Sequence, residues 1–480
     1  MVTRSHLTPP PILFQGRNWS SSELVEMALG WREVLHEEFS AAAAPIAMVM
    51  VNRPEAVALF FALSSFPAPL IFLPPEPVEW QSAPPIPTGT RLVLLPGLAE
   101  LTSAAEQLGL RAMLLRDQSG PRSAPRPTHF LTLPGIVLFT SGSTSRPTPV
   151  YRRTARVLAA ASDLMSVVGP APGLGIVAGL PIARALGFNQ GLMAATVLGA
   201  PLALLERFDP HAVLALFGSG QYQYWAGTPT MADLLSRSPT SWRGTHRAAP
   251  ICVVAGRIPA PLARRFKERI GVPLRQVYGS TEAAAITVDA GASNEVRSDT
   301  AGRPLRDVEI RIGDDPRAPY QAGTAGRIWL SSAEYLMEGY GFPPNVDPLE
   351  SVSGWWPTPD IGQVDEAGYL TVVGRLDDCF RTNAGQLVNP AAVSAALEAW
   401  PGVVDSVAVP LSTPQGPVLG VLVESGEKLD VGDLRRHLAG ALPAWAQPNV
   451  LDTTRALPRL SNGRTDRQVC IAILQRALDP

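Results

Sequence analysis

The sequence predicts an α/β fold: a large N-terminal domain of mainly parallel sheets with helices, containing an antiparallel subdomain, followed by a small α+β C-terminal domain. Three observations lead there. Short apolar runs alternate with helix-period segments through roughly the first 290 residues, the signature of βα units around a parallel sheet. Between residues 301 and 330 the pattern becomes strand-rich with alternating polarity, which suits antiparallel strands. With 46% apolar and only 17% charged residues, the chain can bury a sizeable core and is not a charge-rich disordered polymer.

The elements follow in order. Residues 22–38 place Leu24, Met27, Ala28, Trp31, Val34 and Leu35 at helical spacing. Residues 46–51 read as a buried strand, 54–63 as a buried helix, and 91–95 and 112–115 as further strands. Residues 119–127 (SGPRSAPRP) read as a loop. Alternation resumes from 176 to 288, with a strand ending at Val253-Val254, a helix over 261–270 and a strand over 274–277 that enters a glycine turn. Strands are expected at 308–312 and 326–330. A new unit begins near Gly374: Val393, Leu397 and Trp400 mark a helix, 403–409 a strand, and Leu434, Leu438 and Leu442 a second helix behind Asp430. The uncharged stretches 56–73 and 185–205 carry prolines and polar residues, so they are expected to be core segments and not membrane spans.

Composition excludes several functions. The 40 basic and 42 acidic residues give a net charge of −2, against a general nucleic-acid or anionic-membrane binder. Cys252, Cys379 and Cys470 are scattered, as are the six histidines, so neither a disulfide framework nor a zinc cluster is expected. Unpaired thiols and the absence of an apolar leader at residues 1–6 point to the cytoplasm. Lysine occurs only at Lys267 and Lys428; every other basic residue is arginine.

Four segments carry chemistry. In residues 136–147 (IVLFTSGSTSRP) a buried strand runs into a hydroxyl- and glycine-rich loop, which suits backbone wrapping of a polyphosphate or a plain surface turn; it is not a Walker A loop. Residues 276–282 (QVYGSTE) set an aromatic at a strand end, then a hydroxyl and a carboxylate fit for phosphate and Mg²⁺; a strand–turn–helix with a capping threonine fits as well. Asp360, then Arg375, suit a ribose diol, or simply a hairpin with charged turns. Residues 457–467 (LPRLSNGRTDR) form a glycine turn, which would also pass for a solvated basic loop.

Taken in this order, the four segments resemble the adenylate-forming superfamily of acyl- and aryl-CoA ligases, nonribosomal adenylation domains and luciferases. The likeness is nearest to benzoate-type CoA ligases, through residues 185–192 (ALGFNQGL) and the stretch from Asp377 to Pro390. The resemblance implies an AMP-binding domain over residues 1–376 and a lid over 377–480, with the active site between them. It implies that ATP and a small, aryl-type carboxylic acid give an acyl-adenylate, and that the thiol of CoA or of a carrier-protein phosphopantetheine then takes the acyl group, in secondary metabolite biosynthesis. Thr140, Ser141, Gly142, Ser143 and Thr144 would hold the triphosphate and Tyr278 the adenine. Thr281 would contact phosphate, and Glu282 would hold Mg²⁺. Asp360 and Arg375 would hold the ribose, Asp377 would be the hinge, and Gly385 would belong to the thioester-forming loop.

Three positions depart from the family pattern. Ser145 replaces a glycine, Thr148 a lysine, and Arg464 the lysine that serves adenylation. Arginine keeps the charge on a wider, planar group. The departures open an alternative: an acyltransferase, deficient in adenylation, that moves an acyl group from CoA to an acyl carrier protein.

Overall fold

The computed structural model describes residues 7–40, 44–82, 85–116, 129–140, 147–240, 248–383, 385–459 and 465–478. The predicted loop at 119–127 lies outside them.

The first long helix, Ser21–Phe39, starts at a capping box: the Ser20 hydroxyl accepts from the Glu23 amide, and the Glu23 carboxylate accepts from the Ser20 amide. Leu24, Ala28, Trp31, Leu35 and Phe39 form its buried stripe and pack on helix Pro54–Leu63. That second helix begins with proline, whose missing N–H is harmless in a first turn, and is buried all round apart from Glu55. Here Phe60 meets Phe72 and Phe188 edge-to-face at 5.6 and 5.7 Å. Phe72 belongs to strand Leu70–Leu73 of one large sheet and Phe188 to a helical segment over the other, so the three rings join the two halves of the core. Phe60→Ala is expected to lower stability by about 3–5 kcal/mol, since the rigid surround cannot close over the void. Denaturant melts would show this as a lower midpoint; an unchanged midpoint would mean that the cluster does not bear on stability.

Among the described residues the strands form two large sheets. In the first, eight strands run in the order Asn345–Pro348, Gly339–Phe342, Pro149–Arg153, Gly135–Phe139, Leu70–Leu73, Ile46–Val49, Arg91–Leu94 and Arg111–Leu114. The last five are mutually parallel and the first three join antiparallel. The second sheet has nine strands, with a parallel centre from Leu274–Ser280 to Ile12–Phe14. The expected antiparallel subdomain is a four-stranded sheet of Glu309–Ile312, Gly326–Ser331, Trp356–Val364 and Leu370–Arg375.

One local expectation is corrected. Strand Leu274–Ser280 does not turn into a helix. It reverses through residues 281–283 into the antiparallel strand Ala284–Val288. Ala284 takes φ 56°, a left-handed backbone that no first helical turn accepts, and all five residues of its strand are buried.

The C-terminal unit is built on Asp405–Leu411, Val418–Glu424 and Val450–Thr454. One face packs Val421 and Val423 against Val393, Leu397, Leu434 and Leu438 of helices Pro390–Glu398 and Val431–Ala441. The other packs Val407, Val409 and Leu422 against Cys470 and Leu474 of helix Arg467–Leu478. Asp430 caps its helix as expected, accepting from the Asp433 amide at 2.9 Å. The unit touches the main body through an Arg257–Glu398 ion pair and through Arg459, which donates to the Thr230 hydroxyl at 3.3 Å.

Candidate active site

Several strands of both sheets end on one cleft of about 3450 Å³, which Thr140, Gly179, Thr228, Gly256 and Ser280 line at strand termini. Carboxyl ends of parallel strands are where open α/β sheets place ligands. The antiparallel sheet contributes Trp356, Asp360 and Arg375; the C-terminal unit contributes Glu398, Trp400, Arg459 and Thr465.

At the phosphate-loop end, the Thr140 amide donates to the Thr148 carbonyl at 3.0 Å, and the Thr148 amide donates to the Thr140 hydroxyl at 2.9 Å. Ser141, Gly142, Ser143 and Thr144 lie outside the described residues, as do Ser145 and Arg464.

Asp360 and Arg375 are brought together by register. They are Cα partners across the hairpin of Trp356–Val364 and Leu370–Arg375, so the charged hairpin and the paired site are one object. Arg375 Nε stands 3.8 Å from Asp360 Oδ1, and its Nη2 stands 3.3 Å from Asp377 Oδ2. The buried Tyr278 hydroxyl donates to Asp360 Oδ2 at 2.7 Å. Thr358 supports the same turn, donating to the Ile328 carbonyl at 2.8 Å while accepting from the Asp360 amide at 3.2 Å. Burial raises the Asp360 carboxyl above the usual range, opposed by the Tyr278 hydrogen bond and the Arg375 charge. Burial, and then the negative Asp360, hold the Tyr278 phenol well above its ordinary value.

Thr281 and Glu282 face the cleft from the reversal that follows Ser280. Glu282 Oε1 accepts from the Tyr340 hydroxyl at 3.2 Å, and the Glu282 carbonyl accepts from the Met337 amide at 2.8 Å. Glu282 forms no ion pair among the described residues, and no cluster of three metal-binding side chains occurs among them. A single carboxylate facing the cleft is compatible with Mg²⁺, which commonly takes one or two carboxylates and completes its shell with phosphates and water.

Asp377, in the turn Leu376–Asp378, also lines the cleft. Gly385 does not. It sits at φ 83° in the exposed turn between strands Phe380–Arg381 and Leu387–Val388. Arg459 and Thr465, which flank the undescribed segment holding Arg464, pair with each other and face the cleft. The structure thus gathers Thr140, Tyr278, Thr281, Glu282, Asp360, Arg375 and Asp377, and leaves Gly385 outside.

Residues 185–192, noted in the sequence, also line the cleft through Ala185, Leu186, Gly187, Asn189 and Gln190. They enter a π-helical stretch, Phe188–Met193, a geometry that recurs at functional sites. Gln190 accepts from the buried Tyr224 hydroxyl at 2.8 Å. Thr358 and Tyr340 were not singled out in the sequence. Tyr340 stands 58 residues from Glu282, and no local pattern joins the two.

A sequence profile described as AMP-binding enzyme matches residues 94–341, more than half of the chain. The chain belongs to the AMP-binding enzyme family. Among curated relatives of this AMP-binding enzyme, feruloyl-CoA synthase from Amycolatopsis sp is 26% identical over 335 residues, covering 68% of this chain and 67% of that one. The 2-succinylbenzoate–CoA ligase of Geobacillus kaustophilus is 26% identical over 478 residues, covering 95% and 94%. In fold, it is similar to ATP-bound MatB from Rhodopseudomonas palustris, with a TM-score of 0.80 at 20% identity over 98% of this chain and 96% of that one. No described helix is long and apolar enough to cross a membrane.

Proposed function

We propose that this AMP-binding enzyme is an acid–thiol ligase: it adenylates a small, aryl-type carboxylic acid with ATP and passes the acyl group to the thiol of CoA. In the first step a carboxylate oxygen attacks the α-phosphorus and pyrophosphate leaves. In the second the thiol sulfur attacks the acyl carbon, AMP leaves and the thiol proton goes to solvent. The observation that carries this reading is the Tyr278–Asp360–Arg375 group beside Glu282 on one cleft. Asp360 and Arg375 receive the ribose hydroxyls, Tyr278 lies against adenine, and Thr140 and Thr281 meet phosphate. Ser141, Gly142, Ser143 and Thr144 carry the same role from the sequence motif alone. Glu282 holds Mg²⁺, which when bound neutralises phosphate charge. The π-helical stretch Phe188–Met193, whose Asn189 and Gln190 line the cleft, forms the acid pocket. Residues 1–376 act as the main body and 377–480 as the lid, in a cytoplasmic enzyme.

Offering wild type a panel of aryl acids with ATP, Mg²⁺ and CoA tests the proposal; mass spectrometry should find ATP-dependent CoA thioesters. Absence of any ATP-dependent product across the panel would overturn it.

One observation favours a second reading. Neither of the chain's two lysines, Lys267 and Lys428, lines the cleft, and Thr148 stands where a lysine is usual. A site short of the usual ammonium groups suits exchange of an acyl group between CoA and the phosphopantetheine thiol of a carrier protein, with one thioester broken as another forms. Product formed without ATP, and only with a carrier protein, would mark this activity.

The raised Asp360 carboxyl also predicts a pH dependence. Its folded pKa lies above that of an ordinary aspartate, so the folded protein takes up this proton at higher pH than the unfolded chain does. Burying the charge therefore opposes folding above that pKa, and the penalty fades as pH falls. The ionised carboxylate is the stronger acceptor for ribose hydroxyls, so AMP affinity should weaken as pH drops through the raised value. Asp360→Asn should bind AMP more weakly and lose that pH step in calorimetry; a step that persists in the variant belongs to another group.

A further inference from the structure

The turn that carries Glu282 is not self-supporting. It runs directly into Ala284 at φ 56°, and a non-glycine residue in that region persists only when its surroundings impose it. Besides the pairing of the strand it enters, the turn is supported by the segment 335–340, which meets Glu282 twice, through the Met337 amide and the Tyr340 hydroxyl.

That segment is itself gripped residue by residue. Arg152 Nη2 donates to the Tyr335 carbonyl at 2.9 Å. Arg156 donates to the Leu336 carbonyl and, at 3.4 Å, to that of Met337. The Glu338 carboxylate takes Arg153 Nε and Arg156 Nε, each at 3.2 Å, and accepts from the Arg153 amide at 2.8 Å. The Tyr335 hydroxyl donates to Asp163 on the helix that carries Arg156. Arg152 is 1% exposed, and its Nε and Nη1 have no hydrogen-bond partner among the described residues. A buried guanidinium so incompletely paired is poor as a stabilising device, since an apolar side chain would fill the space without losing solvation. Glu338 and Glu282 are the anions whose charges act on it.

We propose that Arg152, Arg156 and Glu338 are positioning residues for Glu282: they fix the segment whose Met337 amide and Tyr340 hydroxyl set the backbone and carboxylate of the metal-facing turn. This rests on the reading of Glu282 as the Mg²⁺ ligand. Partners behind a metal-binding carboxylate typically contribute about 10–100-fold in metal affinity.

The test uses Mn²⁺ as a probe of metal binding to the ATP-loaded protein, read by electron paramagnetic resonance, beside calorimetry of AMP binding without metal. Glu338→Gln and Tyr340→Phe should each weaken Mn²⁺ binding by about tenfold or more. AMP affinity should stay unchanged. Combined, the two should weaken Mn²⁺ by less than the product of the single effects, because both act on one turn. Arg152→Met should match Glu338→Gln; the latter is isosteric and keeps the test valid if the buried variant does not fold. Unchanged Mn²⁺ affinity in folded Glu338→Gln and Tyr340→Phe, with a large loss in Glu282→Gln, would overturn the positioning role alone. Unchanged affinity in Glu282→Gln would overturn the reading of Glu282 and the inference with it. Equal losses of Mn²⁺ and AMP affinity would reduce the cluster to general structure.

Discussion

Asp377→Pro is expected to lower overall thioester formation by about 10²-fold, the scale of loss that a small misplacement of reacting groups produces. Asp377 lies in the short turn Leu376–Asp378, between the last strand of the antiparallel sheet and the C-terminal unit. Hinges act through a few residues at element ends that absorb changes in φ and ψ. Proline fixes φ near −65° and pushes the preceding residue, here Leu376, out of the helical region. The C-terminal unit is then held in one orientation. In the orientation described here Arg459 and Thr465 face the cleft and Gly385 stands away from it. If residues 377–480 act as the proposed lid and present different faces to the two partial reactions, both cannot proceed from one orientation, so one should survive and the other fail. Asp377→Ala is the control: it removes the carboxylate near Arg375 yet leaves the backbone free, and most turnover should remain. Pyrophosphate release and acyl transfer, measured separately, decide the matter. Full overall turnover in Asp377→Pro would place the hinge elsewhere.

Where the sequence was informative, a local physical rule carried the reading. The stripe from Leu24 to Leu35 has one helical period, and Asp430 caps a helix whose apolar spacing announces it. Asp360 and Arg375 were suspected from their motifs, and an antiparallel register made them neighbours. The reversal after Tyr278 was ambiguous because Thr-Glu-Ala-Ala also suits the start of a helix. Pairing with strand Leu274–Ser280 and burial of Ala284–Val288 decided it. Tyr340 and the Arg152 cluster were out of reach for another reason. Tyr335 lies 183 residues from Arg152, and such contacts follow from sheet order and not from spacing. Even so, the run Arg152-Arg153 followed by Arg156 was visible, in a chain where arginine is too common to attract notice.

The second large effect concerns the first half-reaction. Arg464→Lys is expected to raise pyrophosphate release from ATP and an aryl acid, by up to roughly 10²–10³-fold, the usual contribution of one well-placed transition-state donor. Arg464 lies outside the described residues, between flanks that are described. It stands where the family places an adenylation lysine, and its described flanks, Arg459 and Thr465, line the cleft. Attack of the acid on the α-phosphorus builds negative charge that an ammonium group can follow as a compact point charge. A guanidinium carries the same charge on a broad plane and enters a narrow slot less readily. With Thr148 in place of a second lysine, and both surviving lysines away from the cleft, no other ammonium compensates. Acyl transfer from a supplied thioester should change little, because it does not need this charge. A gain confined to pyrophosphate release therefore identifies an impaired first step. A fall in pyrophosphate release in Arg464→Lys would show instead that the site has adapted to arginine, and the chain would stand as an ordinary ligase with a different cation.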